Sequence, residues 1–301
     1  MKYERAVTAK QILEYLKSIN IAVTYSGDET VIVSGFSSLG YYREGNITWI
    51  KKDDNVPPNL DLSKINLVII QEGVQASCKN TIITAESKRA FFAILEQFFT
   101  DTSKQPPIGS YTVIGKNVIL EENVIIGHNC VLEGNIRIGK NTSIGNNCVI
   151  VNDVKIGQNC KIQSQVVIGE DGFGCSEDEK HKKYMICHYG GVKIGEDVFI
   201  ASHVNIARGT IDDTIIESGV KIAPSTHIGH NNYIGEDSVI ICSNLFGTVH
   251  TGKNAYIVAS TIRNQCSIGE NTVVGMGSIV TKDVGANQIV IGSPAKPMKT
   301  V

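Results

Sequence analysis

From Ile108 onward the hydrophobic positions recur every six residues. Positions 114, 120, 126, 132, 138, 144, 150, 156, 162 and 168 hold Ile, Leu, Ile, Leu, Ile, Ile, Ile, Ile, Ile and Ile. The phase returns at Ile194, Ile200 and Ile206, again at Ile216, Ile222, Ile228, Ile234 and Ile240, and last at Ile262, Ile268, Val274 and Val280. A period of six fits neither the period of about 3.6 of a helix nor the alternation of a half-buried strand. It fits a prism in which each unit makes one short strand and one turn and sends one aliphatic side chain inward. Gly often follows that residue, as in Ile114-Gly115 and Ile126-Gly127, and Asn recurs nearby, because the turns favour positive φ. Stacked units bury one continuous column.

Residues 1–100 obey other rules. Thr8 with Gln11 is a capping-box signature ahead of the helical pattern Ile12, Leu13, Leu16. The run SKRAFFAILEQFF (87–99) predicts a second helix with Phe91, Phe92, Leu95, Phe98 and Phe99 on one broad face. VIVSGF, NITWI, LVII and NTIIT predict short strands between them. The expected organisation is a small α/β domain over 1–100, a linker DTSKQPP at 101–107, and a repeat domain over 108–301. The fold class is mostly β.

Three interruptions break the repeat. The largest runs from Gly169 to Gly195, with a loop insertion over about 170–191 anchored by GFG (172–174) and HYGG (188–191). The second, IARGTIDDTII (206–216), adds four residues to the phase, and SNLFGTVHTG (243–252) is the third. Insertions in a solenoid survive only where stacking stays intact, and they often form the binding face.

Composition narrows the function classes. With 28 Lys+Arg against 30 Asp+Glu, no broad field favours nucleic acid or an anionic membrane. No apolar run approaches the ~20 residues of a membrane span, and the N-terminus lacks a signal-peptide core. A cytoplasmic protein is expected. Eight cysteines without a CxxC pair read as reduced, mostly buried thiols.

The hexads resemble the left-handed β-helix acyltransferases. GEDGFG, IARGTIDDT and GVKIAPSTHIGHNNYIG, in that order, resemble the UDP-3-O-acylglucosamine N-acyltransferases of lipid A biosynthesis. VSGFSSLGYYREGNITWI (33–50) and SKRAFFAILEQFF are similar to that family's uridine-binding domain. The resemblance implies a left-handed parallel β-helix, about 18 residues per coil, and a homotrimer with its clefts between subunits.

An amine attacking a thioester needs a base for its proton and donors for the oxyanion. Histidine suits the first task, with an ordinary pKa of about 6.5. The resemblance assigns His230 as the base, Asn231 beside it, and the Gly247 N–H as oxyanion donor. His188 and Phe173 fall at substrate positions, and Trp49 falls where the family stacks an aromatic on uracil. Departures from the family are Ala207 before Arg208-Gly209, Gln265 in place of a histidine, and the ending IVIGSPAKPMKTV. That ending resembles coenzyme A-dependent sugar acetyltransferases and nominates Lys282 and Lys296 as cofactor contacts. The expected activity is therefore N-acyl transfer from acyl-CoA to a nucleotide-linked amino sugar in surface glycan synthesis, with no permanently bound cofactor. The alternative is the lipid A reaction with acyl carrier protein as donor. His203, His227 and His250 raise a further alternative, a metal-binding β-helix of the carbonic-anhydrase type, which would need three convergent histidines.

Overall fold

The computed structural model describes residues 6–76, 78–100 and 106–300. Most of the expected linker, residues 101–105, lies outside them. The chain divides into two compact units, residues 1–104 and 105–301.

In the first unit, Thr8 caps helix α1 (Ala9–Ser18) through the expected reciprocal box with Gln11. Ile12 and Leu16 face a core completed by Ile47, Leu67, Ile69 and Ile82. Three of the expected strand runs share one sheet, in which Asn46–Ile50, Leu67–Gln71 and Thr81–Thr84 pair in parallel, whereas VIVSGF splits, Gly35–Phe36 joining that sheet and Ile32–Val33 pairing antiparallel with Val7–Thr8. Helix α2 (Ser87–Phe99) buries Phe91, Ile94 and Phe99, whereas Phe92 turns outward and is 51% exposed.

The second unit is a parallel β-helix with three faces. Its long strands Val131–Ile138 and Val149–Ile156 run around one corner and join two faces into a single hydrogen-bonded sheet. The third face stacks nine strands, from Ile125–Ile126 to Gln288–Ile291. Every hexad aliphatic from Ile126 onward points inward. Ile150, Ile168, Ile200, Ile222, Ile228 and Ile240 have no measurable exposure. Burying each such side chain contributes about 1.5–3 kcal/mol.

The faces meet at three edges, and two of these are regular. There the turn takes the form Gly-x-Asn followed by a small residue, with the Asn in left-handed backbone: φ is 55° at Asn129, 59° at Asn141 and 56° at Asn147. The small residue points inward and donates to a carbonyl one coil on, as Thr142 Oγ1 does to Gly157 O at 2.9 Å and Ser260 Oγ to Gly275 O at 3.0 Å. Buried cysteines do the same, Cys130 Sγ reaching Gly145 O at 3.0 Å and Cys148 Sγ reaching Gln163 O at 3.2 Å. Four of the eight free cysteines are buried, while Cys175, Cys187 and Cys242 are exposed, so burial of most thiols is corrected to half. Cys130, Cys148 and Cys160 satisfy backbone acceptors as well as packing.

The third interruption also resolves differently from the sequence expectation. Ile240 pairs with Ile257 and Ile257 with Val274, a 17-residue coil in place of 18. The missing residue falls before Asn244, at turns where Cys242 and Ala259 adopt φ of 45° and 42°.

Candidate active site

The remaining edge, between the Val131–Leu132 and Ile136–Ile138 faces, carries both large insertions. Coil register passes from Ile168 to Ile206 and from Ile156 to Ile194 across the first, and from Ile206 to Ile228 across the second. The next two corners of this edge hold His230 and Gly247, on adjacent rungs, since Ile228 pairs with Leu245 and the Thr248 N–H reaches His230 O at 2.8 Å.

Asn231 fixes the His230 ring. Its Nδ2 donates to Asp212 O at 3.0 Å, and its Oδ1 accepts from the Thr210 N–H at 3.0 Å and from Thr210 Oγ1 at 2.9 Å. The amide orientation is thereby determined, so the 3.0 Å contact between Asn231 Oδ1 and His230 Nδ1 requires Nδ1 to carry the hydrogen. Nε2 keeps its lone pair. Asn231 itself sits at φ 58°, where an asparagine is tolerated.

The ring lies over Gly247, where any Cβ would overlap the imidazole at Nε2 and Cε1. On the other side, a Cβ on Gly172 would come within 2.8 Å of His230 Cβ and 3.1 Å of His188 Nε2. The two glycines allow the chain to close around the histidine. His188 is 3% exposed, and its ring meets that of His230 edge-on with centroids 5.2 Å apart. Its Nδ1 contacts Ile186 O at 3.0 Å, which can only accept, so Nε2 is a buried acceptor without a partner among the described residues. Phe173, between the packed glycines, is 80% exposed.

Residues that sequence reasoning passed over hold the insertions together. Arg208 Nε donates to Gly190 O at 2.6 Å, and its guanidinium lies 3.9 Å from Asp171, whose other oxygen accepts from the His188 N–H at 3.3 Å. Asp213 accepts from the Gly191 N–H at 2.7 Å and pairs with Lys193 at 2.7 Å. Burial pushes the Asp213 carboxyl up, but the Lys193 ammonium and the Gly191 N–H together outweigh it and hold the group below the usual range. The ARGTIDD string was the available signal, but the partners of Arg208 and Asp213 come from the other insertion.

The other sequence candidates lie elsewhere. Lys282 is exposed on the same edge, three rungs beyond His230, or roughly 15 Å at the spacing of neighbouring strands. Lys296 begins the final strand Lys296–Thr300, away from this edge. Trp49 belongs to the first unit, where it is half-buried, stacks on Phe91 at 6.0 Å and donates Nε1 to Ser87 Oγ at 2.9 Å. A neighbouring cavity of about 620 Å³ is lined by Lys51, Gln71, Ser87, Lys88, Arg89 and Phe92, so Phe92 rather than Trp49 is its aromatic wall. His203 occupies a turn at φ 60°, His227 bonds Asn205 Oδ1 at 2.9 Å on one face, and His250 stacks on Tyr233 on another. Within one chain these three do not converge, and among the described residues no cluster of three or more His, Cys, Asp or Glu is placed to hold a metal.

Fold and repeat together define the class, a left-handed parallel β-helix built of hexapeptide repeats. Residues 135–170 match the bacterial transferase hexapeptide (six repeats) and residues 107–136 the hexapeptide repeat of succinyl-transferase. Within the class, the chain resembles UDP-3-O-acylglucosamine N-acyltransferases. It is 38% identical over 112 residues to that of Coxiella burnetii (strain RSA 493 / Nine Mile phase I), a match covering 36% of this chain and 33% of the relative. For the enzyme of Methylococcus capsulatus the identity is 28% over 131 residues, covering 43% and 37%. The chain thus spans about a third of the length of the curated relatives it matches. Among solved structures, the UDP-N-acetylglucosamine O-acyltransferase of Moraxella catarrhalis covers 65% of this chain and 75% of its own at 26% identity and a TM-score of 0.58. LpxA from Acinetobacter baumannii covers 65% and 74% at 26% identity and a TM-score of 0.59. No helix among the described residues is long and apolar enough to cross a membrane.

Proposed function

We propose that this protein is an N-acyltransferase that moves an acyl group from a thioester to the amine of a UDP-linked 3-O-acylated glucosamine. The observation that carries the reading is the His230 ring, locked by Asn231 at Nδ1 and seated over Gly247 with Nε2 free. In the reaction, His230 Nε2 takes a proton from the attacking amine as its nitrogen bonds to the thioester carbonyl carbon. The Gly247 N–H donates to the developing oxyanion. Collapse of the intermediate breaks the carbon–sulfur bond, and the imidazolium returns its proton to the departing thiolate. His188, packed edge-on against His230, holds that ring in place, and exposed Phe173 packs against the sugar. In the first unit, the cations and Phe92 around the cavity suit a nucleoside diphosphate.

The names of the curated relatives favour the lipid A reaction over the expected short acyl-CoA reaction in glycan synthesis. The reading includes a cytoplasmic homotrimer. Exposed Phe173, Tyr189 and Ile211, at 80%, 77% and 81%, lie on the two insertions of the His230 edge and support a cleft completed by a second copy. The test is thiol release, crossing acetyl-, hydroxybutyryl- and hydroxymyristoyl-thioesters on coenzyme A and on carrier protein with UDP- and dTDP-amino sugars. Turnover with UDP-3-O-acylglucosamine and a long acyl-carrier protein is expected. Turnover only with short acyl-CoA and a dTDP-amino-deoxysugar would move the enzyme to glycan synthesis, and no turnover with any pair would reject acyl transfer.

A further inference from the structure

The corner that holds His230 ends in Asn232, which is 1% exposed and points into the coil. At the regular edges this corner position is filled by Thr, Ser, Cys, Val or Ala, and where it is polar its single hydrogen goes to a carbonyl of the same or the next rung, as at Thr226 and Thr142. Asn232 has two. Its Nδ2 donates to Gly229 O at 2.7 Å on its own rung and to Phe246 O at 2.9 Å on the next. Its Oδ1 is buried without a partner among the described residues. Thr142 or Ser260 shows how the single task is done without an orphaned acceptor, and Val249, the equivalent residue one rung on, shows that the corner also closes on an apolar side chain. An orphaned buried acceptor carries a cost that stacking alone does not require.

The two carbonyls that Asn232 holds belong to the peptides leading into His230 and Gly247. In a trans peptide the C=O and N–H point in opposite directions. With Gly229 O and Phe246 O drawn into the coil, the N–H groups of His230 and Gly247 are turned out of it. Neither N–H has a protein acceptor among the described residues. We infer that Asn232 is a positioning residue that clamps two adjacent rungs so that the His230 and Gly247 N–H groups both face the reacting carbonyl. This rests on the acyl-transfer reading and adds to it the residue that aims the oxyanion donors.

Two variants test it in the full chain. N232V removes both clamps and restores the side chain already present at 249. N232T keeps one donor for Phe246 O, as at the regular edges, and releases Gly229 O. With the wild-type substrates, N232V is expected to lower kcat about tenfold at unchanged KM, since a misaimed donor costs less than the hundredfold of a deleted one. N232T is expected to fall between N232V and wild type. The melting temperature of N232V is expected to fall modestly, since the variant removes one orphaned acceptor but leaves the Gly229 and Phe246 carbonyls without a donor. A purely structural asparagine predicts a lower melting temperature with kcat per folded molecule intact, and kcat within twofold of wild type overturns the inference. A crystal structure of N232V gives a readout independent of turnover. The Phe246–Gly247 peptide should rotate away from its wild-type orientation. An unmoved peptide rejects the positioning role, whereas absence of turnover in the wild type rejects only the acyl-transfer reading.

Discussion

The regular edges of the solenoid and the edge that carries the insertions are built from the same unit but do opposite work. At the regular edges the buried turn hydroxyls and thiols bond backbone carbonyls of their own or the next coil, and the asparagines of one edge bond one another. Asn123 Nδ2 bonds Asn141 Oδ1 at 3.1 Å, and Asn141 Nδ2 bonds Asn159 Oδ1 at 3.2 Å, so the turns form a ladder. On the insertion edge the pattern is broken at successive coils, and the freed space holds two histidines, an arginine and three aspartates. Buried acceptors are left open there at His188 Nε2 and Asn232 Oδ1. Repetition supplies stability, and departures from it supply groups that still have bonds to make.

That contrast can be broken at several points. His230→Ala should cost the most, about a thousandfold in kcat, because it removes the general base. The variant should still fold and keep its oligomeric state, read by thiol release and sedimentation. Gly247→Ala should cost about a hundredfold, since its Cβ displaces the imidazole and crowds the oxyanion donor. At the regular coils the same size of change should appear in stability alone. Ile150→Ala leaves a cavity in a fully buried stack and should cost about 2–5 kcal/mol in denaturant unfolding, with kcat per folded molecule retained.

The smallest effect concerns pH. Burial, with a lesser contribution from His230, holds the His227 pKa below its ordinary value in the folded chain. The unfolded chain therefore binds the proton first. The stability this histidine contributes is present above the unfolded pKa of about 6.5 and is lost as pH falls through the folded value. His227→Asn should flatten the decline of melting temperature between neutral and mildly acidic pH.

Much of this was legible in the residues. The period of six needed no partner information, because each inward aliphatic is set by its own turn. The capping box at Thr8 and the four-residue insertion at 206–216 are likewise local. His230 and Gly247 could be placed on neighbouring rungs because 17 residues is close to one coil. The contacts of Arg208, Asp171 and Asp213 could not be read, since they join two insertions whose spacing follows no repeat. Trp49 pointed to the neighbourhood of a cavity whose lining ring is Phe92. Strand alternation says which side of the sheet it occupies, not that Phe91 covers one of its faces and leaves Phe92 at the cavity. The double bond of Asn232 was also hidden, because phase shows that it points inward but not which carbonyls it meets.

The most direct test of the central claim is a crystal structure with the N-acylated product bound. The product's amide oxygen should lie about 2.7–3.2 Å from the Gly247 nitrogen, with its amide nitrogen within hydrogen-bond reach of His230 Nε2. A product seated at either regular edge, or bound with its amide out of reach of both groups, would contradict the account.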